Sequence, residues 1–453
     1  MSRARYHAID VARMRRKYPF ASLVRPHLGL MESVAFLPIE LGAVDLEVAA
    51  TTLGNLTLTF PHIAKPDGRD IRGEVAGGGS ADIDPEQCWV RAVAEGVERY
   101  STMMFSDADF IVAAPSELGT EALDLGRIPR CSADEYADPL CPLHPPALDA
   151  PIRWVPGVSL IDGRQRLVPA IMTHLHLKPW PAERFWLPIS TGVAAHTRLD
   201  AAINAAICES IERDALALAW LLRLPLPRID VPDAVEEPLA TLLARLAQSN
   251  VRHQAFDATT DLRVPTVLAV QVTEGHPECE LFVSCATTLG AHAAFAKAIR
   301  EASPARAVLK RAPPCPDDVA DFCDITHGAS YYGRGGHRDD FGFLLDTIVA
   351  THLAAMDRPI PDYARSSETS GTAFLVEQLR SRGMEAVVVD LTADEVREAG
   401  LWVVRVIIPE LVPISFVHRA RYLGTCRLVD HPGRRPGPGK NPAGITLSPL
   451  PFA

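Results

Sequence analysis

Two periods run through the hydrophobic and polar positions of this chain, and the helical one dominates three long stretches. The first opens with Asp84 as a cap, Pro85 at the first helical position and Glu86 in the first turn. That pattern predicts a helix running to about Met104. A second helix is predicted from near Thr197, where Thr197 and Asp200 resemble a capping box, to about Leu222. A third begins after Gly290 and carries Ala293 to Arg300. Residues 264–273 and 281–286 alternate or run apolar as strands. Residues 386–390, 392–399 and 401–408 read as strand, helix, strand, with Gly400 where a helix C-terminal glycine belongs. Residues 18 to about 62 read as short strands and turns, broken at Pro19, Pro26 and Pro38. Gly77-Gly78-Gly79-Ser80 reads as a glycine-rich loop, and residues 111–160 as Pro-rich irregular chain. From His431 to Ala453 there are six prolines and no period, which predicts a tail extended rather than packed. Strands interleaved with helices define the class as α+β, mixed α/β. The division expected is a strand-rich segment over 1–62 packed on the core, a core over 63–428, and a Pro-rich tail over 429–453.

The 453 residues suit one large domain or two lobes. The net charge is −11, from 56 acidic against 45 basic residues, which argues against nucleic acid as a partner, since phosphate backbones are held by Lys/Arg patches. The one dense basic run, Arg13 to Lys17, reads as a solvated terminus. No window approaches ~18–20 consecutive apolar residues, so no membrane span is expected. The charged N-terminus lacks the apolar centre of a signal peptide, which makes the cytoplasm the expected compartment. Nine cysteines are scattered without a C-x-x-C pair, and reduced, mostly buried thiols are the reading that follows.

The chemistry lies in a repeat. The first helix carries Glu95-Gly96-Val97-Glu98-Arg99 and the second Glu209-Ser210-Ile211-Glu212-Arg213. Glutamates at i and i+3 share one helix face. The residues around them are small or aliphatic, unlike the mixed polar surface of a solvated helix. If the two helices face each other, four carboxylates meet, and charges that close need compensation. Magnesium takes oxygen ligands and is commonly held by a few carboxylates together with substrate phosphates. The pattern therefore points to a nucleotide–Mg²⁺ site built without a Walker loop, for which no motif occurs.

These segments, taken in order, resemble the YcaO superfamily, closest to the cyclodehydratase component of thiazole/oxazole-modified microcin-type peptide biosynthesis. The resemblance rests on Gly77–Ser80 before Ala92–Ser101, on Ser190-Thr191-Gly192-Val193-Ala194-Ala195 before Ile207–Ala215, and on Lys297–Ala302 leading to Arg306. Asp390-Leu391-Thr392, Val403–Val406 and the ending Pro449-Leu450-Pro451-Phe452-Ala453 complete it. It implies a YcaO-type fold, with mixed sheets and long helices enclosing an ATP cleft, over residues 63–428 as catalytic core. It further implies that Glu95, Glu98, Glu209 and Glu212 ligate magnesium ions holding ATP. Arg306 would contact phosphate, with Ser190, Thr191, Gly192 and Arg213 beside the nucleotide. The chain departs from the family pattern at Gly79, where many relatives carry lysine, at Pro304, where many carry glutamine, and in the terminal alternation of prolines.

The implied activity is ATP-dependent conversion of Cys, Ser or Thr residues of a precursor peptide to azolines, by phosphorylating the amide oxygen. For the base, His292, His327 and His337 are candidates, as is a C-terminal carboxylate at Ala453 delivered by the tail. Implied partners are the precursor peptide, a leader-binding protein resembling ubiquitin-activating enzymes, an FMN-dependent dehydrogenase and a second copy of the chain within a complex. Alternatives are thioamide or amidine formation by the same ATP chemistry, and a non-catalytic nucleotide-binding scaffold.

Overall fold

The structure, a computed structural model, describes residues 2–3, 9–27, 29–54, 56, 76–310, 312, 314–432 and 444–452. Its centre is the helix Leu199–Leu221, of which nearly every position is buried, the glutamate Glu212 included. A helix apolar on all sides must be enclosed on all sides. One face packs on a sheet ordered Ile111–Ala113, Ile152–Ser159, Val387–Asp390, Trp402–Ile407, Val193–His196, with Gln165–Pro169 added beside Ile152–Ser159. Another meets a second sheet, ordered Leu281–Thr287, Thr266–Val272, Arg252–Asp257, Arg228–Asp230, Ala350–His352. The helix Ala291–Leu309 covers that second sheet. The helix Pro85–Ser101 lies on a three-stranded sheet of Met31–Phe36, Glu47–Leu53 and Ala76–Asp82. The expected α+β class is the one observed, and the pairings within these sheets are antiparallel except between Arg228–Asp230 and Ala350–His352.

Several local expectations need correction. The glycine-rich run is a strand, Ala76–Asp82, and its glycines serve packing. A Cβ on Gly78 would stand 2.2 Å from the Ala92 carbonyl oxygen and 2.5 Å from the Gly96 amide nitrogen, so strand and helix touch backbone to backbone. Within 111–160 the chain forms the strand Ile152–Ser159. Thr197 and Asp200 make no capping box: the helix begins at Leu199 with Arg198 as its cap, and Asp200 accepts from the Arg198 guanidinium and from Thr369 Oγ1 instead. The basic run belongs to the helix Val11–Lys17, where Arg13 and Lys17 both pair with Glu86 at the start of the first long helix. The described part of the tail is extended but packed, with Ile445 and Phe452 buried in the core around Trp220. Other expectations hold: Asp84 accepts from the Glu86 amide at 2.9 Å, and Gly400 has φ of +82° just past a helix.

Candidate functional site

The two glutamate-bearing helices both pack against one short strand. Val193–His196 is an edge strand, paired on one side only, with Trp402–Ile407. On its unpaired side the Ala195 amide donates to Glu98 Oε1 at 2.8 Å, and three residues earlier the Gly192 amide donates to Glu209 Oε2 at 2.9 Å. Three residues of extended chain span about 10 Å, which brings the two helices' carboxylates to one cleft. The other two glutamates follow the same rule. Glu95 Oε2 accepts from the Gly79 amide at 2.8 Å, and Glu212 Oε2 from the Thr287 amide at 2.9 Å. Each carboxylate thus satisfies one backbone amide, three of them in strands and that of Gly192 in the turn before one. Gly192 has φ of +81°, and a Cβ there would meet the Val406 carbonyl oxygen at 2.5 Å, so only glycine lets this turn present its amide.

Basic side chains interleave with the acidic ones. Arg99 reaches Glu95 at 3.1 Å, and Arg213 spans Glu209 at 3.3 Å and Glu212 at 3.5 Å. From the third long helix Lys297 Nζ donates to Glu212 at 3.0 Å and lies 3.4 Å from Glu301. Glu98 makes no ion pair among the described residues, though the Arg99 charge acts on it from nearby. Burial, with Glu95 and Glu209 nearby, pushes its carboxyl up to about 8. Burial likewise raises Glu301 to about 7, with Glu212 adding and Lys297 opposing. Burial works against the charge on Lys297, but Glu212 and Glu301 outweigh it and hold the amine protonated. Sequence reasoning missed Lys297 and Glu301 as part of this cleft. Their i,i+4 spacing inside the quoted Lys297–Ala302 segment was the available signal.

Behind the cleft the Ser190–Gly192 turn is pinned by Arg405, which is 1% exposed and donates to the carbonyl oxygens of Ile189 at 2.6 Å and Thr173 at 3.3 Å. Thr191, Ser210, Arg213 and Arg405 line a small cavity there. A lone arginine in the apolar run of Trp402–Ile407 was the sequence's sign of it. The tail arrives on the same side, where the Phe452 ring stacks on the Arg213 guanidinium at 4.3 Å and Tyr332 Oη donates to the Pro449 carbonyl at 3.1 Å. Ala453 lies outside the described residues. Phe452→Leu keeps most of the apolar volume and removes the cation–π contact, worth about 1–2 kcal/mol when desolvated. Its expected outcome is a modest fall in melting temperature with a larger fall in turnover, measured on the same preparation.

The remaining sequence candidates stand elsewhere. Arg306 donates to Thr273 Oγ1 at 3.1 Å and makes no hydrogen bond or ion pair with the four glutamates among the described residues. His327 Nδ1 accepts from the Cys323 amide at 3.2 Å, and His337 stacks on Tyr331 at 3.9 Å. His292 is 43% exposed in its side chain and lies 3.8 Å from Asp357.

A cleft of hard carboxylate oxygens fits magnesium by donor type. Among the described residues no group of three or more His, Cys, Asp or Glu side chains is close enough to enclose a metal alone. Magnesium usually keeps several waters and shares its shell with substrate phosphates. Glu98, partly buried and in no ion pair among the described residues, is the residue such an ion would relieve.

The fold is a mixed α/β architecture that gathers carboxylates from two long helices into one cleft. A family model described as YcaO cyclodehydratase, ATP- and Mg²⁺-binding, matches residues 80–412. The chain therefore belongs to the YcaO family, and ATP and Mg²⁺ are its cofactors. Among curated proteins it is 27% identical over 197 residues to an uncharacterized protein in the tfuA 3′ region of Rhizobium leguminosarum bv. trifolii, covering 42% of this chain and 43% of that one. An uncharacterized protein of Methanothermobacter thermautotrophicus is 25% identical over 341 residues, covering 73% and 80%. A heterocyclase solved in complex with substrate and cofactor is 20% identical with a TM-score of 0.76, covering 100% of this chain and 59% of that chain. YcaO from Methanopyrus kandleri bound with AMPPCP and Mg²⁺ gives 16% identity and a TM-score of 0.60, covering 90% and 91%. This chain spans less than two thirds of the rhizobial relative and of that heterocyclase. Among the described residues no helix is long and apolar enough to cross a membrane.

Proposed function

We propose that this chain is an ATP-dependent peptide cyclodehydratase that converts Cys, Ser or Thr residues of a precursor peptide to azolines. The observation that carries the reading is the cleft in which two Glu-x-x-Glu helices set Glu98 and Glu209 on one edge strand and its lead-in turn, with Glu95 and Glu212 held by the amides of Gly79 and Thr287, in a chain of the YcaO family. ATP supplies the phosphoryl group that makes an amide oxygen a good leaving group, and Mg²⁺ neutralises the triphosphate. Glu95, Glu98, Glu209 and Glu212 hold the metal–nucleotide. The Ser190–Gly192 turn shapes the cleft floor, and Arg213, braced by Phe452, sets the positions of Glu209 and Glu212. Positioning and charge stabilisation make up the protein's share of such chemistry. The boundaries of the working unit are those read from the sequence, with 63–428 as catalytic core between the 1–62 segment and the 429–453 tail. A leader-binding partner and a flavin-dependent dehydrogenase are the proteins this activity calls for.

The test is incubation of the full chain, with its leader-binding partner where one is encoded beside it, with ATP, Mg²⁺ and a Cys/Ser/Thr-rich precursor, read by mass spectrometry. Loss of one water per modified residue, with matching phosphate release, is the expected result. In a parallel reaction with sulfide added, exchange of oxygen for sulfur would assign thioamide formation instead. ATP binding without any change in peptide mass would assign a scaffold.

A further inference from the structure

A second cavity, of about 330 Å³, lies between residues 37–48 and the end of the helix Ala291–Leu309. It is separate from the carboxylate cleft on two counts. At 3.6 residues per turn, Lys297, Glu301 and Pro304 share one face of that helix, while Arg306 and Lys310 fall on the opposite side. Along the sheet, Glu212 is bound to the amide of Thr287 at one end of a strand. Arg306 is bound to Thr273, beside the strand's other end at Leu281. Six residues of strand place these ends about 20 Å apart. The cavity walls are mostly apolar, with Leu37, Val44, Val48 and Val251 among them. Its charged lining is Glu40, Lys310 and Arg306. Lys310 and Glu40 pair at 2.6 Å, and His276 also reaches Glu40 at 3.2 Å. That leaves Arg306. It is 6% exposed, and its Nε and Nη1 are buried without a hydrogen-bond partner. A buried guanidinium with two unmatched donors is costly, and an anion set against it offsets that cost.

We infer that this cavity binds a small monocarboxylic acid with an apolar body, anchored by a carboxylate–guanidinium pair to Arg306. One guanidinium with two unmatched donors matches one carboxylate, and its planar geometry suits it. A phosphate, with nearly twice the charge, would face the Glu40 carboxylate with no second free cation among the described residues. A volume near 330 Å³ is at the lower end of small-molecule pockets. The inference does not depend on the reaction proposed for the carboxylate cleft. The probe is octanoate, titrated into the full chain by calorimetry, with octanol as the same body without the charge. Octanoate is expected to bind at least about tenfold tighter than octanol, the gain of one hydrogen bond to a charged group. Arg306→Gln is expected to remove that difference. Ala307→Trp, which fills the cavity from a neighbouring lining position and leaves Arg306 in place, is expected to abolish binding in a folded protein. Equal binding of octanoate and octanol, no binding by the unaltered chain, binding that survives Ala307→Trp, or displacement of octanoate by MgATP would each overturn the assignment.

Discussion

Glu98→Gln is expected to raise the melting temperature of the nucleotide-free protein at pH 8 while cutting ATP turnover by at least about 100-fold. The substitution separates two roles of the same side chain. The Gln carbonyl oxygen still accepts from the Ala195 amide, so the contact between helix and edge strand survives. What disappears is the charge. The carboxyl of Glu98, raised from its ordinary 4.5 to about 8, holds a proton in the folded protein that the unfolded chain has released across that interval. The unfolded state therefore binds fewer protons there, and stability falls as pH rises from about 4.5 through about 8. In a partly exposed cleft this is on the order of 1–2 kcal/mol. Gln should flatten that slope. Magnesium and nucleotide, which favour the ionised form, should release a proton on binding to the unaltered protein near neutral pH, and release less to the variant. Melting curves over pH with and without Mg²⁺–AMPPCP check all three. Unchanged turnover in Glu98→Gln would refute the metal role. Lost turnover with a lowered apo melting temperature would show that the carboxylate charge supports the fold.

The parts of this site that were legible in the sequence are those fixed by local chemistry. Asp84, Pro85 and Glu86 announce a helix start because a cap, a fixed φ and a first-turn acid all act within one turn. The glutamate pairs share a face because helical spacing is local. What escaped notice depends on distant partners. Gly78 looks like loop chemistry until the Ala92 carbonyl is seen to lie where its side chain would be. Asp200 looks like part of a cap, but Arg198 and Thr369 take its oxygens first. The tail's prolines rule out helix, yet say nothing about whether Ile445 and Phe452 will find the core. The third motif divides in the same way. Lys297 and Glu301 turn to the cleft and Arg306 turns away, and periodicity does distinguish those faces. Which of them meets the carboxylates is decided by where the covered sheet ends.

Lys297→Met is the complementary experiment, because it removes a positive charge from the cleft where Glu98→Gln removes a negative one. Glu212 is 1% exposed and rests on three groups, the Thr287 amide at 2.9 Å, Lys297 at 3.0 Å and Arg213 at 3.5 Å. Methionine matches the aliphatic stem of lysine and removes the amine, leaving Glu212 and Glu301 to share Arg213. Breaking a buried pair by deleting one partner costs about 3–5 kcal/mol, and the 30% exposure of the Lys297 side chain reduces this to about 2–3 kcal/mol. The nucleotide-free variant should therefore melt well below the unaltered protein. The deficit should shrink when Mg²⁺–AMPPCP is added, because a divalent ion among the glutamates supplies the compensation the amine gave. Lys297 in this view holds Glu212 and Glu301 ready in the empty cleft. The measurement is the difference in melting temperature between variant and parent, taken once without ligand and once with saturating Mg²⁺–AMPPCP. A deficit of the same size in both conditions would mean that the ion does not compensate the same carboxylates. Glu212 would then be a structural partner of Lys297 and no part of the metal site.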